Sequence, residues 1–112
     1  MTVPSRAAEQ VLERCAVLAT MSSMAHGICR VYLSAEHKRA NTQVSKWMQE
    51  AGMTTHIDAV GNVRGRYAAS SEDAPVLLIG SHLDSIPDAG AYDGILGAVS
   101  YTHLTLPTIY SV

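Results

Sequence analysis

Apolar residues recur every three or four positions in two segments of the chain, which is the spacing of an amphipathic helix. The first segment runs from Ser5, a residue that can cap a helix, to about Ser22. The second begins at Ser34, another good N-cap, and ends at Gly52, because glycine readily takes the left-handed conformation that terminates helices. Its apolar stripe, which we expect in the core, consists of Ala40, Val44, Trp47, Met48 and Ala51. The segment between the two helices contains Gly27 and is predicted to be irregular.

The middle of the chain changes to the two-residue alternation of β-strands. Met53 to Val60 alternates, Gly61-Asn62 can form a turn, and Val63 to Tyr67 can return as the second strand of a hairpin. Pro75 to Gly80 is a continuous apolar run, typical of a strand that is covered on both faces in an α/β sheet. The predicted fold class is therefore α/β, with two helices followed by a hairpin and a buried strand of a mixed sheet.

Composition and charge limit the classes of partner. With 112 residues, 47% hydrophobic and 16% charged, the chain has the make-up of one small folded domain. A net charge of -2 with scattered basic residues gives no attraction for nucleic acid or anionic membranes, so neither partner is expected. The longest aliphatic run, Val76 to Ile79, is too short to span a membrane, and the start lacks a secretory signal. We expect a cytoplasmic protein in which Cys15 and Cys29 are free thiols.

Candidate chemistry is concentrated in Gly80 to Asp84, directly after the predicted buried strand. Ligands of α/β proteins favour this end of a strand. His82 and Asp84 are two positions apart on extended backbone, so both project to one face, where Asp84 can orient His82 as a metal ligand. Asp93, beside Gly94 in a glycine-rich loop, could fold back towards His82 and bridge two cations. The alternative is that His82 is an ordinary exposed loop histidine, because an isolated H-x-D triplet is a weak signal.

The other histidines before residue 98 are expected to have no catalytic or metal-binding role. His26 lies in the irregular segment, His37 in the first turn of the second helix and His56 on the polar face of a strand. We expect all three side chains to be exposed to solvent.

Several separated motifs, in order along the chain, resemble those of one enzyme family. They are Arg30 to His37, Trp47 to Met53, Asp58 to Val63, Gly80 to Ser85 and Ala89 to Gly97. Together they resemble the N-terminal part of the allantoate amidohydrolase and N-carbamoyl-L-amino-acid hydrolase group, within the M20 metallopeptidase-like family. The resemblance runs from about Arg6 to Gly97 and implies the N-terminal part of a di-metal amidohydrolase catalytic domain.

The resemblance also implies roles for the candidate residues. His82 matches a metal ligand, Asp93 matches the carboxylate that bridges two divalent cations, zinc or manganese, and Asp84 matches an active-site acid that orients the ligand histidine. The implied reaction is hydrolysis of a linear C–N bond in a ureido or amide substrate by water that the metals acidify, while a glutamate shuttles the proton. The form of Ala89 to Gly94 favours allantoate, and hence purine-ureide catabolism. The alternatives are an N-carbamoyl-L-amino-acid hydrolase, another M20 peptidase or aminoacylase, and a non-catalytic α/β binding module.

The family's remaining machinery is expected beyond Gly97. It comprises a Glu-Glu pair that holds the catalytic base, further histidine ligands, and a lid domain that forms homodimers and binds substrate through Arg and Asn. With the lid domain absent and the metal site incomplete, we expect these 112 residues alone to bind metal weakly and to be inactive.

Residues 98–112 depart from the family, where a helix rich in small and apolar residues should begin. They contain several poor helix formers, namely Thr102, Thr105, Pro107 and Thr108. The segment resembles the translation of a transposase-type sequencing adapter. We therefore divide the chain into a truncated catalytic domain, 1–97, and a non-native tail, 98–112, whose His103 is not a ligand candidate.

Overall fold

Three helices and one hairpin make up the computed structural model, which describes the backbone of residues 5–108 and the side chains of residues 5–103. The elements in chain order are α1 (Arg6–Ala19), α2 (Ala35–Glu50), β1 (Thr54–Ile57), β2 (Val63–Arg66) and α3 (Ile95–Thr108). In this part of the chain no helix is long and apolar enough to cross a bilayer. The predicted combination of helices and strands is confirmed.

The first two helices begin at the predicted caps. The Ser5 hydroxyl oxygen accepts a hydrogen bond from the Ala8 N–H at 3.2 Å, and the Ser34 hydroxyl accepts one from the His37 N–H at 3.1 Å. Each bond satisfies one of the N–H groups that the first helical turn leaves unpaired. At the other end of α2, Gly52 has a φ of 95°, the left-handed conformation predicted for its C-terminus.

The core lies where the two predicted apolar stripes meet the start of α3. The hairpin is antiparallel, with Ile57 opposite Val63 as the last pair before the turn. It packs on α2 so closely that a Cβ on Gly65 would lie 2.7 Å from the sulfur of Met48. The buried apolar cluster is formed by Cys15, Leu18, Ala40, Val44, Trp47, Met48, Met53, Ile95 and Val99.

The predicted buried strand at residues 75–80 is wrong for this chain. None of these residues belongs to a strand, and Val76, Leu77 and Leu78 are 82%, 84% and 90% exposed. A strand must pair its N–H and C=O groups with neighbours, and between residues 5 and 108 the β1–β2 pair is the only ladder. The hydrophobic run predicted burial, but such a run is buried only where neighbouring strands pair with it and cover it.

A further difference from expectation is α3, which runs through residues predicted to be poor helix formers. Its first turns bury Ile95, Ala98 and Val99, and the Thr102 hydroxyl donates a 2.8 Å hydrogen bond to the Ala98 carbonyl. At Thr102 the cost in helix propensity is about 0.5 kcal/mol, whereas each large apolar side chain buried by the first turns contributes about 1.5–3 kcal/mol, so packing outweighs propensity at that position. The division at residue 97 stays a prediction, and residues 109–112 lie outside the described part.

His37 is buried, contrary to the expectation of exposure, whereas His26 and His56 are exposed as predicted. Only 6% of His37 is accessible, and its Nδ1 accepts a 3.0 Å hydrogen bond from the Leu33 N–H. Leu33 has a φ of 65°, and the ring centroid of Tyr32 lies 5.6 Å from that of the imidazole. Burial lowers the pKa of His37; the Asp84 carboxylate opposes this effect and the Arg30 guanidinium adds to it.

The lowered pKa of His37 predicts a loss of stability on mild acidification. The unfolded chain takes up this proton near pH 6.5 and the folded chain only at lower pH, so stability falls as the pH drops below about 6.5. Urea unfolding should show wild type losing stability relative to His37→Gln between pH 7 and pH 5. Parallel pH profiles for the two proteins would contradict the buried, neutral imidazole.

Candidate metal site

The three side chains singled out by the sequence lie together. His82 Nε2 is 3.3 Å from Asp93 Oδ1, and His82 Nδ1 is 3.5 Å from Asp84 Oδ1. The imidazole is therefore flanked by two carboxylates, and all three side chains are about half exposed, at 52%, 53% and 44% for His82, Asp93 and Asp84. The arrangement is an accessible cluster of nitrogen and oxygen donors.

Gly94 is what allows Asp93 to approach His82. Its φ is 74°, and a Cβ at this position would lie 2.5 Å from His82 Cε1 and 2.6 Å from the His82 carbonyl oxygen. The backbone thus passes directly against the imidazole, an approach that only glycine permits. The Ser81 hydroxyl donates a 2.7 Å hydrogen bond to the Gly94 carbonyl and fixes the two segments together.

Asp84 contacts His82 through its main chain more closely than through its carboxylate. His82 Nδ1 is 2.9 Å from the Asp84 carbonyl oxygen, against 3.5 Å from the carboxylate. A carbonyl oxygen can only accept, so this contact is a hydrogen bond in the tautomer that carries the proton on Nδ1, and in that tautomer Nε2 presents its lone pair towards Asp93. The expected pairing of His82 with Asp84 is present, and the backbone carbonyl makes the shorter contact.

Arg30 supports this loop, a role that the pattern of residues along the sequence does not predict. The side chain is 1% exposed; its Nε donates to the Leu83 carbonyl at 2.6 Å, and its Nη1 donates to the Leu18 and Met21 carbonyls at 2.8 and 3.0 Å. Its backbone N–H donates to the Ser85 hydroxyl at 2.9 Å, and its carbonyl accepts from the Ser85 N–H at 2.7 Å. Arg30 lies in an irregular segment, where no helical or strand periodicity predicts which side chains are buried. The sequence pointed to it only through its position at the start of a family motif.

Electrostatics favour the same arrangement. Burial lowers the pKa of the Arg30 guanidinium, and the Asp84 carboxylate opposes that effect. The attraction between the buried cation and this carboxylate offsets part of the cost of removing the guanidinium from water.

The donor pair of His82 and Asp93 fits a divalent transition metal. Two ligands bound to one tetrahedral zinc at about 2.0–2.2 Å lie about 3.3–3.6 Å apart, which matches the 3.3 Å between Nε2 and Oδ1. Imidazole nitrogen and carboxylate oxygen are both common zinc ligands. Across the described residues no group of three or more His, Cys, Asp or Glu side chains is placed to hold an ion, so this part of the chain supplies at most an incomplete set of ligands.

A cleft of about 560 Å³ opens beside His82 and Asp84. His82 and Asp84 lie on its wall with the amide side chains of Asn41 and Asn62, and exposed Leu78 adds apolar surface. This volume is within the range of small-molecule sites, and the mixture of a few polar groups with apolar surface is typical of them.

Replacement of Gly94 by alanine should disrupt the pair. The positive φ alone costs about 1–2 kcal/mol, and the new methyl group must displace the imidazole. Gly90→Ala is the matched control, since a Cβ there meets nothing within 4 Å. Urea unfolding and the NMR signal of the His82 Nδ1–H should change in Gly94→Ala and stay near wild type in Gly90→Ala; equal behaviour of the two variants would contradict this packing.

The sequence is similar to those of known amidohydrolases. Over 92 residues, 82% of this chain, the sequence is 40% identical to allantoate deiminase 1 of Glycine max, and it covers 19% of that protein. Over 74 residues, 66% of this chain, it is 43% identical to an N-carbamoyl-L-amino acid amidohydrolase of Geobacillus stearothermophilus, of which it covers 18%. The chain thus spans about a fifth of the length of the curated relatives it matches. No family model matches the sequence.

A solved structure shows the same relationship in three dimensions. The crystal structure of a hydantoinase/carbamoylase family amidase from Burkholderia ambifaria superimposes with a TM-score of 0.82 at 30% sequence identity, covering 91% of this chain and 26% of the amidase. The chain is therefore related in sequence to one part of the allantoate deiminases and N-carbamoyl-L-amino-acid amidohydrolases, and in fold to one part of a hydantoinase/carbamoylase family amidase.

Proposed function

We propose that this chain is the N-terminal part of the catalytic domain of a metal-dependent amidohydrolase that cleaves a linear C–N bond of allantoate. The His82–Asp93 donor pair carries the proposal, because its 3.3 Å separation suits two ligands of one cation. The similarity to allantoate deiminases, at 40% identity over 92 residues, supports the choice of reaction.

Two residues of the chain would bind the cations directly, and a third would orient one of them. His82 would bind through Nε2, and Asp93 would bind through its carboxylate and bridge to a second ion, with zinc or manganese as the metals that the resemblance implies. When bound, such ions acidify water and polarise the carbonyl of an amide or ureido group. The Asp84 carbonyl would orient His82 by accepting a hydrogen bond from Nδ1–H, and with the proton held on Nδ1 the Nε2 lone pair is left for coordination.

The cleft beside His82 suits a small ureido or amide substrate. Asn41 and Asn62 are on its wall, but their Nδ2 groups already donate to the Gly61 carbonyl and the Asp58 carboxylate. A carbamoyl N–H would therefore donate to their Oδ1 atoms. An N-carbamoyl-L-amino acid is the second candidate substrate, supported by 43% identity to an amidohydrolase of that specificity over 74 residues.

The proposal extends to the whole protein. We propose a cytoplasmic enzyme that forms homodimers through a lid domain encoded beyond residue 97 and that has no nucleic-acid or membrane partner. Residues 98–112 would then be a non-native tail. Sequencing of the gene across the Gly97 codon tests this division: adapter sequence supports it, and continuous gene sequence overturns it.

Substitution of the ligand pair tests the proposed reaction in the full-length protein. His82→Ala and Asp93→Asn should each lower metal content and reduce the rate of ammonia release from allantoate by at least about 100-fold, because even the indirect partners of metal ligands contribute 10–100-fold. His56→Ala, which removes an exposed histidine, is the matched control and should retain the wild-type rate.

The same assay separates the candidate substrates. A higher kcat/KM for allantoate than for N-carbamoyl-L-amino acids supports the first proposal, and the reverse order supports the second. Wild-type metal content and activity in His82→Ala would overturn both.

A further inference from the structure

We infer that Arg30 is a positioning residue for the metal ligand His82: its buried guanidinium and backbone hold residues 83–85 so that the Asp84 carbonyl fixes the imidazole with Nε2 free. The inference rests on the proposed metal site and adds to it a residue that touches neither metal nor substrate.

The segment that orients His82 is held by Arg30 on both sides. Before Asp84, the Leu83 carbonyl accepts from the guanidinium Nε at 2.6 Å. After it, Ser85 exchanges two hydrogen bonds with the Arg30 backbone, at 2.9 and 2.7 Å. The Asp84 carbonyl between them is thereby directed at His82 Nδ1, 2.9 Å away.

The same guanidinium is anchored to the end of α1. Its Nη1 donates to the carbonyl of Leu18, in the last turn of α1, and to that of Met21, just beyond the helix. A cation there also complements the negative end of the helix dipole. The orientation of His82 is therefore transmitted from α1 through one fully buried side chain, 1% exposed.

Arginine is the side chain that this role requires. Its planar fork presents donors in several directions, so it reaches the Leu83 and Leu18 carbonyls at once. The single ammonium of lysine keeps the charge but cannot reproduce that geometry. Arg30→Lys therefore separates the positioning effect from the effect of charge.

Cobalt binding to the full-length protein tests the role of Arg30. Co²⁺ reports affinity by titration and ligand geometry by its visible spectrum. Arg30→Lys should bind Co²⁺ about 10–100-fold more weakly than wild type, as loss of a supporting contact does, with an altered spectrum. Arg66→Lys, at an exposed arginine of β2, is the matched control and should behave as wild type.

Two further measurements keep the test decisive where Arg30→Lys folds poorly. Ser85→Ala removes one of the bonds that hold the segment and leaves the guanidinium intact, so it should weaken Co²⁺ binding in the same direction. Millimolar guanidinium should partly restore the affinity of Arg30→Ala and leave Arg66→Ala unchanged.

The outcomes distinguish this inference from the proposed function. Wild-type Co²⁺ affinity and spectrum in both Arg30→Lys and Ser85→Ala would overturn the positioning role while the metal site stands. If wild type and His82→Ala bind Co²⁺ equally, the proposed metal site itself is wrong, and the positioning role falls with it.

Discussion

The buried guanidinium of Arg30 is the contact on which the arrangement of the site depends. It joins the end of α1, through the Leu18 and Met21 carbonyls, to the Leu83 carbonyl beside the candidate site. A buried cation without partners would cost several kcal/mol, so a fold that encloses it must supply acceptors. Here the acceptors are main-chain carbonyls, and satisfying the cation therefore fixes the backbone that carries His82.

Backbone contacts on both sides of His82 set the geometry of the donor pair. Asp84 lies between two residues bound to Arg30, and its carbonyl selects the tautomer of His82. On the opposite side, Gly94 lets the chain pass against the imidazole, so that Asp93 approaches Nε2. Backbone groups thus orient the pair, and the side chains remain free to bind.

Features that depend on neighbours in the sequence could be predicted from it. The caps at Ser5 and Ser34, the end of α2 at Gly52 and the hairpin were all correct, because each depends on a few adjacent residues. Features that depend on distant partners could not. The exposure of residues 75–80 is set by which strands are available, and His37 is buried where the fold also brings the distant Asp84 within electrostatic range.

The candidate site shows the same division. The resemblance predicted that His82, Asp84 and Asp93 belong together. The carboxylates of Asp84 and Asp93 do lie within 3.5 Å of the ring nitrogens of His82. The contact made by the Asp84 carbonyl could not be predicted, because every residue has a main-chain carbonyl and the residue type does not show which one is used. Arg30 was missed for a related reason: its carbonyl partners can be supplied by residues of any type.

The central claim is that His82 Nε2 and Asp93 Oδ1 are ligands of one divalent cation. Anomalous diffraction at the zinc edge, from crystals of the full-length protein grown with zinc, tests it most directly. We expect an anomalous zinc peak within about 2.2 Å of both atoms. A fully occupied zinc peak elsewhere, with His82 and Asp93 left unliganded, would contradict it.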